Sequence, residues 1–288
     1  MSTSTSTGTT GAATAPAPPT GGAGRRAATT TGQWVLVPLV VVVVWEIAAR
    51  AGDSPFFPPP SDIAVAFWET WLGGPASQLF LSDVAVDNVL PSVARLLGGW
   101  AIAVVVGVVV GCAIGRSATA MEYLGPLLAF GRAIPPPALV TVFLVLFELG
   151  TPMQLATIIF GVVWPVLLNS ADGARSVHPT QVATARVFRI PRRQWIFGVV
   201  LPAALPKIFA GMRVSLSLAL ILMVISELVG ATNGIGLQLA LAQRRFDFDT
   251  MWAAVVLLGA LGHLFNSVLL AVERRVLAWQ PGTRKGGS

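Results

Sequence analysis

The sequence predicts an all-α membrane protein with six transmembrane helices, and three observations carry that reading. Of 288 residues, 54% are hydrophobic and 11% charged, too little charge to clothe a soluble surface. Apolar segments recur at the length a helix needs to cross a hydrocarbon core of about 30 Å, which takes about 20 residues. Finally, 15 of the 19 Lys and Arg fall on one side of the alternation those segments create, the bias by which cations are retained in the cytoplasm.

In chain order, residues 1–31 are mostly Ser, Thr, Ala, Gly and Pro without periodicity. Such a segment cannot bury enough apolar area to offset its ordering entropy and is expected to be a disordered tail. Arg25 and Arg26 before an apolar run have the outline of a signal peptide. Trp45-Glu46 interrupts that run, however, and the later crossings need this one. The membrane domain is expected over 32–279, with crossings at 34–51, 92–115, 137–149, 153–171, 208–231 and 251–272, and a short tail over 280–288. The third crossing is short and is expected to begin near Leu127 and to bend at Pro135-Pro136-Pro137, where neighbouring helices must satisfy the freed carbonyls. With the N-terminus inside, only Arg50, Arg95, Arg244 and Arg245 fall outside, and both termini are cytoplasmic. The positive charge therefore reflects topology, and a nucleic-acid partner is not expected.

Between the fourth and fifth crossings lies a basic loop, about 172–207, flanked by Arg213 and carrying Arg175, Arg186, Arg189, Arg192, Arg193 and Lys207. Pro179 suits a first helical position, so a helix is predicted from there to Phe188. Pro191 disfavours helical geometry at Ile190 and can open a second helix through Arg192, Arg193, Gln194, Trp195 and Ile196. The two prolines of LPAALP at 201–206 mark the expected end of the loop.

This loop resembles the "EAA loop" of ABC-importer permeases, and the chain from about Trp34 to Trp279 is similar to the branch handling sulfonates, taurine, nitrate and comparable small solutes. The matching residues are Phe57-Pro58-Pro59-Pro60-Ser61-Asp62, Arg132-Ala133-Ile134-Pro135, the LPAALP at 201–206, and Glu227 followed by Gly234-Ile235-Gly236. Three positions depart from the family pattern: Ala183-Thr184-Ala185 stands at Glu-Ala-Ala, Arg189 at the Gly that closes the first helix, and Pro191 at the following Ser. Gly takes a left-handed cap cheaply and Arg only at a cost, so the turn and the coupling it carries are the parts open to change.

The resemblance implies a type I ABC-importer permease fold with a cytoplasmic helix-turn-helix coupling loop. It implies a pathway formed by two copies or by one copy and a paralogue, a separate ATP-binding subunit, and an extracytoplasmic substrate-binding protein, with the solute moved by alternating access. Thr184, Ala185, Arg186, Val187, Phe188 and Arg189 are then the expected ATPase-docking residues, Phe188 as an apolar knob and the arginines as steering and rim contacts.

Polar residues at bilayer depth are costly and invite a functional reading beside a structural one. Glu227 either bonds to neighbouring helices or lines the solute path. His263 and Asn266, three apart and on one helical face, are either packed or part of that path. Asn169 is expected to brace the basic loop. Gly107, Gly111 and Gly115 make a small-residue stripe suited to close helix packing within the chain or at a dimer seam.

Absences narrow the function. No G-x-x-x-x-G-K-[ST] occurs, so ATP must be bound by a partner subunit, and the chain itself is expected to carry no cofactor. Nor is there an H-E-x-x-H, a G-x-S-x-G or a Cys/His metal spacing, and Cys112 is the only cysteine. An ion-coupled secondary transporter is the alternative, but residues 34–150 and 151–279 show no internal repeat. An intramembrane enzyme would need a nucleophile and base that the crossings do not display.

Overall fold

The computed structural model describes residues 23–279, with side chains from residue 36. The tails expected at 1–31 and 280–288 fall largely outside these limits, and helix α1 is described from Ala23 to Gly52. The described residues up to Ser54 belong to one compact unit and those from Pro55 on to a second.

In the second unit the chain runs α2 (Pro60–Phe67), α3 (Asp83–Gly115), α4 (Ala118–Ala133), α5 (Pro136–Phe147), α6 (Thr151–Arg175), α7 (Pro179–Val187), α8 (Arg192–Trp195), α9 (Leu201–Gly230), α10 (Ile235–Arg244) and α11 (Phe248–Val276). The starts follow local chemistry. Ser82, Ser117 and Asp247 accept from the backbone N–H three residues on, at 3.0, 3.1 and 3.1 Å, capping α3, α4 and α11. Pro60, Pro136 and Pro179 open their helices, where a missing N–H costs nothing.

The core is built on α6, with α3 packed against one side of it and α9 against another. Leu96 and Ala103 of α3, Ile158 and Val162 of α6, and Leu222 and Met223 of α9 are all buried in one cluster. The glycine stripe packs within the chain: a Cβ on Gly107 would stand 2.9 Å from Val166 Cβ, and one on Gly115 would stand 2.7 Å from Ala171 Cα. The dimer-seam reading of this stripe is thereby replaced by α3–α6 packing, because the groove is already filled by α6.

These contacts also give direction. Gly99 meets Ile158 and Gly115 meets Ala171, so α3 and α6 run in the same sense; Gly173 meets Ala204 and Gly211 meets Pro165, so α9 runs opposite to α6. The ion pair of Arg213 with Glu273 and the approach of Gly262 to Leu220 set α11 opposite to α9. Parallel α3 and α6 need one return crossing between them, and only α4 and α5 lie there. Among the described residues four helices are long and apolar enough to cross a membrane, or five if the α4–α5 pair is one span.

Several expectations are revised. The third crossing bends at its prolines as expected, as two helices at 86°, but starts at Ala118 rather than near Leu127; Ile134, with φ −69° and ψ 121°, takes the extended geometry that a following proline imposes. The second crossing starts at Asp83, nine residues before 92. The second helix of the basic loop does not stop at LPAALP: α8, a π-helical turn over Ile196–Val200 and α9 form one helical run of 39 residues, Arg192–Gly230. Pro202 is inside this run and has no N–H to donate, and the π-helical turn lies immediately before it, so the helix continues with an irregular ladder at that point. Helices α2 and α10 occupy connections in which no helix was expected. The hydrogen bond of Asn169 is not to the loop: its Nδ2 donates to Pro165 O at 2.8 Å, four residues back in its own helix.

The packing makes a contrast that can be measured. Gly107→Ala should lower stability by about 1–3 kcal/mol through overpacking against Val166. Gly98→Ala, with nothing within 4 Å of the added carbon, should be neutral or gain a few tenths of a kcal/mol from helix propensity. Thermal unfolding of the two detergent-solubilised variants checks this, and equal shifts would contradict the packing.

Candidate functional site

One end of the second unit is organised by a buried carboxylate. Glu227, 1% exposed on α9, accepts three hydrogen bonds: from Ser92 Oγ at 2.7 Å, from Arg95 Nη1 at 3.0 Å, and from the backbone N–H of Gly236 at 2.9 Å. Arg95, itself 8% exposed on α3, is spent fully here. It also donates to Asn233 O at 3.0 Å, to Asn233 Oδ1, and through Nε to Thr151 Oγ1 at 3.3 Å. Asn88 Oδ1 accepts from Gly234 N and Ser92 Oγ from Ile235 N, both at 2.9 Å.

The start of α10 is thus capped from other helices. Its leading N–H groups, on Gly234, Ile235 and Gly236, point at Asn88, Ser92 and Glu227, and a carboxylate at a helix N-terminus also favours the helix dipole. The glycines are required by this approach. Gly234 sits at φ 137°, and a Cβ on Gly236 would lie 2.7 Å from Glu227 Cβ. The Glu and the Gly-x-Gly, separate matches in the sequence, are one device.

At the other end lies the basic loop. Helix α7 begins with His178 Nδ1 accepting from Thr180 N at 3.3 Å and ends in a Schellman arrangement. Ile190 N donates to Ala185 O at 3.0 Å and Arg189 N to Arg186 O at 3.2 Å. The turn expected to change at Arg189 keeps its left-handed residue, at φ 48°. The loop is anchored by Val182 and Trp195, packed on a buried cluster of Ala174, Val177 and Val200. Thr184 and Arg186 are exposed, Ala185 is half-buried, and Val187 and Phe188 are 77% and 74% exposed.

The three other sequence candidates are not gathered into one site. The hydrogen-bond partners of Glu227 come from α3 and α10. His263 is exposed on α11, with Nε2 3.5 Å from Ser267 Oγ, and Asn266 is half-buried one turn on. Arg95, assigned by charge counting to the outer side, is a buried partner of Glu227. Two lone opposite charges inside apolar segments, Arg95 and Glu227, were the available signal, since each is too costly there without the other. Asn88, Ser92 and Asn233 carried no comparable mark.

The family described as "Binding-protein-dependent transport system inner membrane component" matches residues 103–278. A protein of Bacillus subtilis assigned as an aliphatic sulfonates transport permease, SsuC, is 29% identical over 85% of this chain and 87% of its own. The taurine transport system permease TauC of Escherichia coli is 28% identical over 84% and 86%, and the bicarbonate transport system permease CmpB of Synechococcus elongatus 30% identical over 84% and 90%. A solved structure of the MetNI methionine ABC transporter in inward-facing conformations shares the fold: its TM-score is 0.56 at 17% identity, over 65% of this chain and 95% of that one.

Two outcomes follow from the site. Arg95→Leu or Glu227→Leu alone should cost about 3–5 kcal/mol, because each leaves a buried charge unpaired. The double variant should cost less than the sum, and an additive cycle in detergent unfolding would remove the coupling. Arg189→Gly should raise stability by a few tenths to about 1 kcal/mol by relieving the left-handed Arg; a loss would mean the Arg side chain repays its backbone.

Proposed function

The chain belongs to the family of binding-protein-dependent transport system inner membrane components, and from that premise we propose how it works and what it carries. It is a permease subunit of an ABC importer, a transport subunit in the membrane and not an ion-coupled secondary transporter. The solute we assign is a small oxyanion of the sulfonate, taurine, nitrate or bicarbonate kind, because such solutes are named for the relatives. Two ATP-binding subunits supply the hydrolysis and bind the nucleotide. A substrate-binding protein delivers the solute at the end of the bundle holding α2 and α10. The pathway is formed with a second copy or a paralogue, and both termini are cytoplasmic, in the plasma (inner) membrane.

Coupling rests on α7 and the loop after it. The observation that supports this most is the pair Val187 and Phe188, apolar and 77% and 74% exposed at the tip of a helix whose other face is anchored to the bundle. An exposed apolar knob of that kind is costly alone and productive in a partner's groove. Thr184, Ala185, Arg186, Val187, Phe188 and Arg189 form the docking surface.

The second half of the loop is continuous with α9. A run of 39 residues at about 1.5 Å each is about 58 Å long, against a hydrocarbon core of about 30 Å. Closure of the ATP-binding pair then tilts a rod whose far end holds Glu227, and alternating access follows as a rigid-body shift. In this reading Glu227 holds α10 in place, and His263 and Asn266 on α11 are our candidates for lining the path.

Phe188→Ala should reach the membrane at normal abundance and recover about 30-fold less ATP-binding subunit in pull-down, the equivalent of about 2 kcal/mol at an interface anchor. Arg186→Ala should weaken recovery more modestly and in a salt-dependent way. Unchanged recovery and unchanged transport in the double variant would refute the docking assignment.

A further inference from the structure

Two cavities meet where α3 ends beside the basic loop. One, of about 320 Å³, is lined by Arg116, Arg186, Arg189, Arg192 and Trp195 among others, and no carboxylate lines it. The other, of about 530 Å³, is walled almost wholly by apolar side chains, Val108 and Val109 of α3 and Phe197, Val200 and Leu201 of the long helix among them. Arg116, Arg192 and Trp195 belong to both linings, so the arginine pocket and the apolar groove lie against each other at these three side chains.

Among the described residues none of the four arginines is in an ion pair. Arg116 is held in place: its Nη1 donates to Ala174 O at 3.2 Å and its guanidinium lies 5.6 Å from the centre of the Trp195 ring. This leaves positive charge fixed at the mouth of the groove, unneutralised by the protein.

We propose that this composite cavity binds one anionic phospholipid, with its phosphate and headgroup among Arg116, Arg186, Arg189 and Arg192 and one acyl chain in the apolar groove beside Trp195. The chemistry selects an amphipathic occupant. A free inorganic anion would satisfy the arginines but leave the apolar groove facing nothing, and a zwitterionic lipid would fill the groove while cancelling half the attraction. Basic pockets beside membrane-crossing helices recognise anionic headgroups on these terms, by charge and by bidentate guanidinium–phosphate bonds. The lipid would sit between the last turns of α3 and the helix leading from α7 into α9. It would therefore pack against the loop beside Arg186 and Arg189.

The test uses the full chain purified in a non-ionic detergent and phospholipids brominated on the acyl chain, whose bromines quench a tryptophan they touch. The Trp195 contribution is isolated by difference with Trp195→Phe. Brominated phosphatidylglycerol should quench Trp195 at a mole fraction about tenfold or more below that needed for brominated phosphatidylcholine. Arg116→Gln with Arg192→Gln should abolish the preference, and Arg116→Lys with Arg192→Lys should keep most of it, which separates loss of charge from loss of folding. Removing the same charge elsewhere, Arg244→Gln with Arg245→Gln, should leave it unchanged. Equal quenching by both lipids, an equal effect of the Arg244 and Arg245 control, or full displacement by millimolar inorganic phosphate at constant ionic strength would each overturn the proposal. The headgroup site shares Arg186 and Arg189 with the proposed docking surface, so the test varies only Arg116 and Arg192, which lie outside it, and loss of lipid preference with normal ATPase recovery keeps the two readings apart.

Discussion

The position of α10, and through it one whole end of the bundle, depends on the carboxylate of Glu227. Its Oε1 accepts from Ser92 and Arg95 of α3, and its Oε2 from the backbone of Gly236 at the start of α10. One side chain therefore pairs a buried cation, registers two antiparallel helices and caps a third. Burying such a pair costs several kcal/mol of desolvation per ion, repaid only when further hydrogen bonds satisfy the remaining lone pairs and protons. Here they do: Arg95 also reaches Asn233 and Thr151, and Ser92 accepts from Ile235. A hydrophobic pair could pack as well but could not set the direction of α10.

The rest of the core supplies closeness without register. Lipid tails are as apolar as Leu, so helices in a membrane gain little from hydrophobic burial and rely on intimate packing. The glycines at 99, 107, 111 and 115 let α3 approach α6, and those at 161, 173 and 211 bring α6 and α9 together. Trp100 adds one polar stitch between α3 and α9, its Nε1 donating to Ser215 Oγ at 2.9 Å. Smooth contacts of this kind resist separation more than sliding. The polar cluster at one end and the arginine-flanked anchor at the other are where the helices are pinned.

Much of this was legible in the sequence because its causes are local. Apolar runs of the right length mark crossings and Pro179 marks the start of α7; the missing Gly at 189 pointed to an altered turn, whereas Arg189 keeps the left-handed conformation at φ 48°. What escaped has nonlocal causes. Arg95 looked like an outer-side charge because its partner lies 132 positions away, and positional charge counting treats every Arg alike. The prolines of LPAALP looked like a boundary because proline breaks helices in general. At Pro202 the run continues past a π-helical turn that lies just before the proline, and at Pro206 it continues as α-helix. The 86° break between α4 and α5 is encoded at Ile134-Pro135, but its size depends on where α6 lets α5 lie.

Arg189 shows how local strain and long-range electrostatics trade. A left-handed Arg costs the turn on the order of 1 kcal/mol relative to Gly, and nothing in the backbone hydrogen bonds of the turn requires an arginine. Its side chain contributes the fourth cation to a pocket already lined by Arg116, Arg186 and Arg192, where mutual repulsion should oppose rather than repay it. An anionic headgroup in the site proposed above would offset both terms. The loop presents an apolar tip, Val187 and Phe188, and a pocket lined by four arginines, the two features through which its geometry can respond to what it binds.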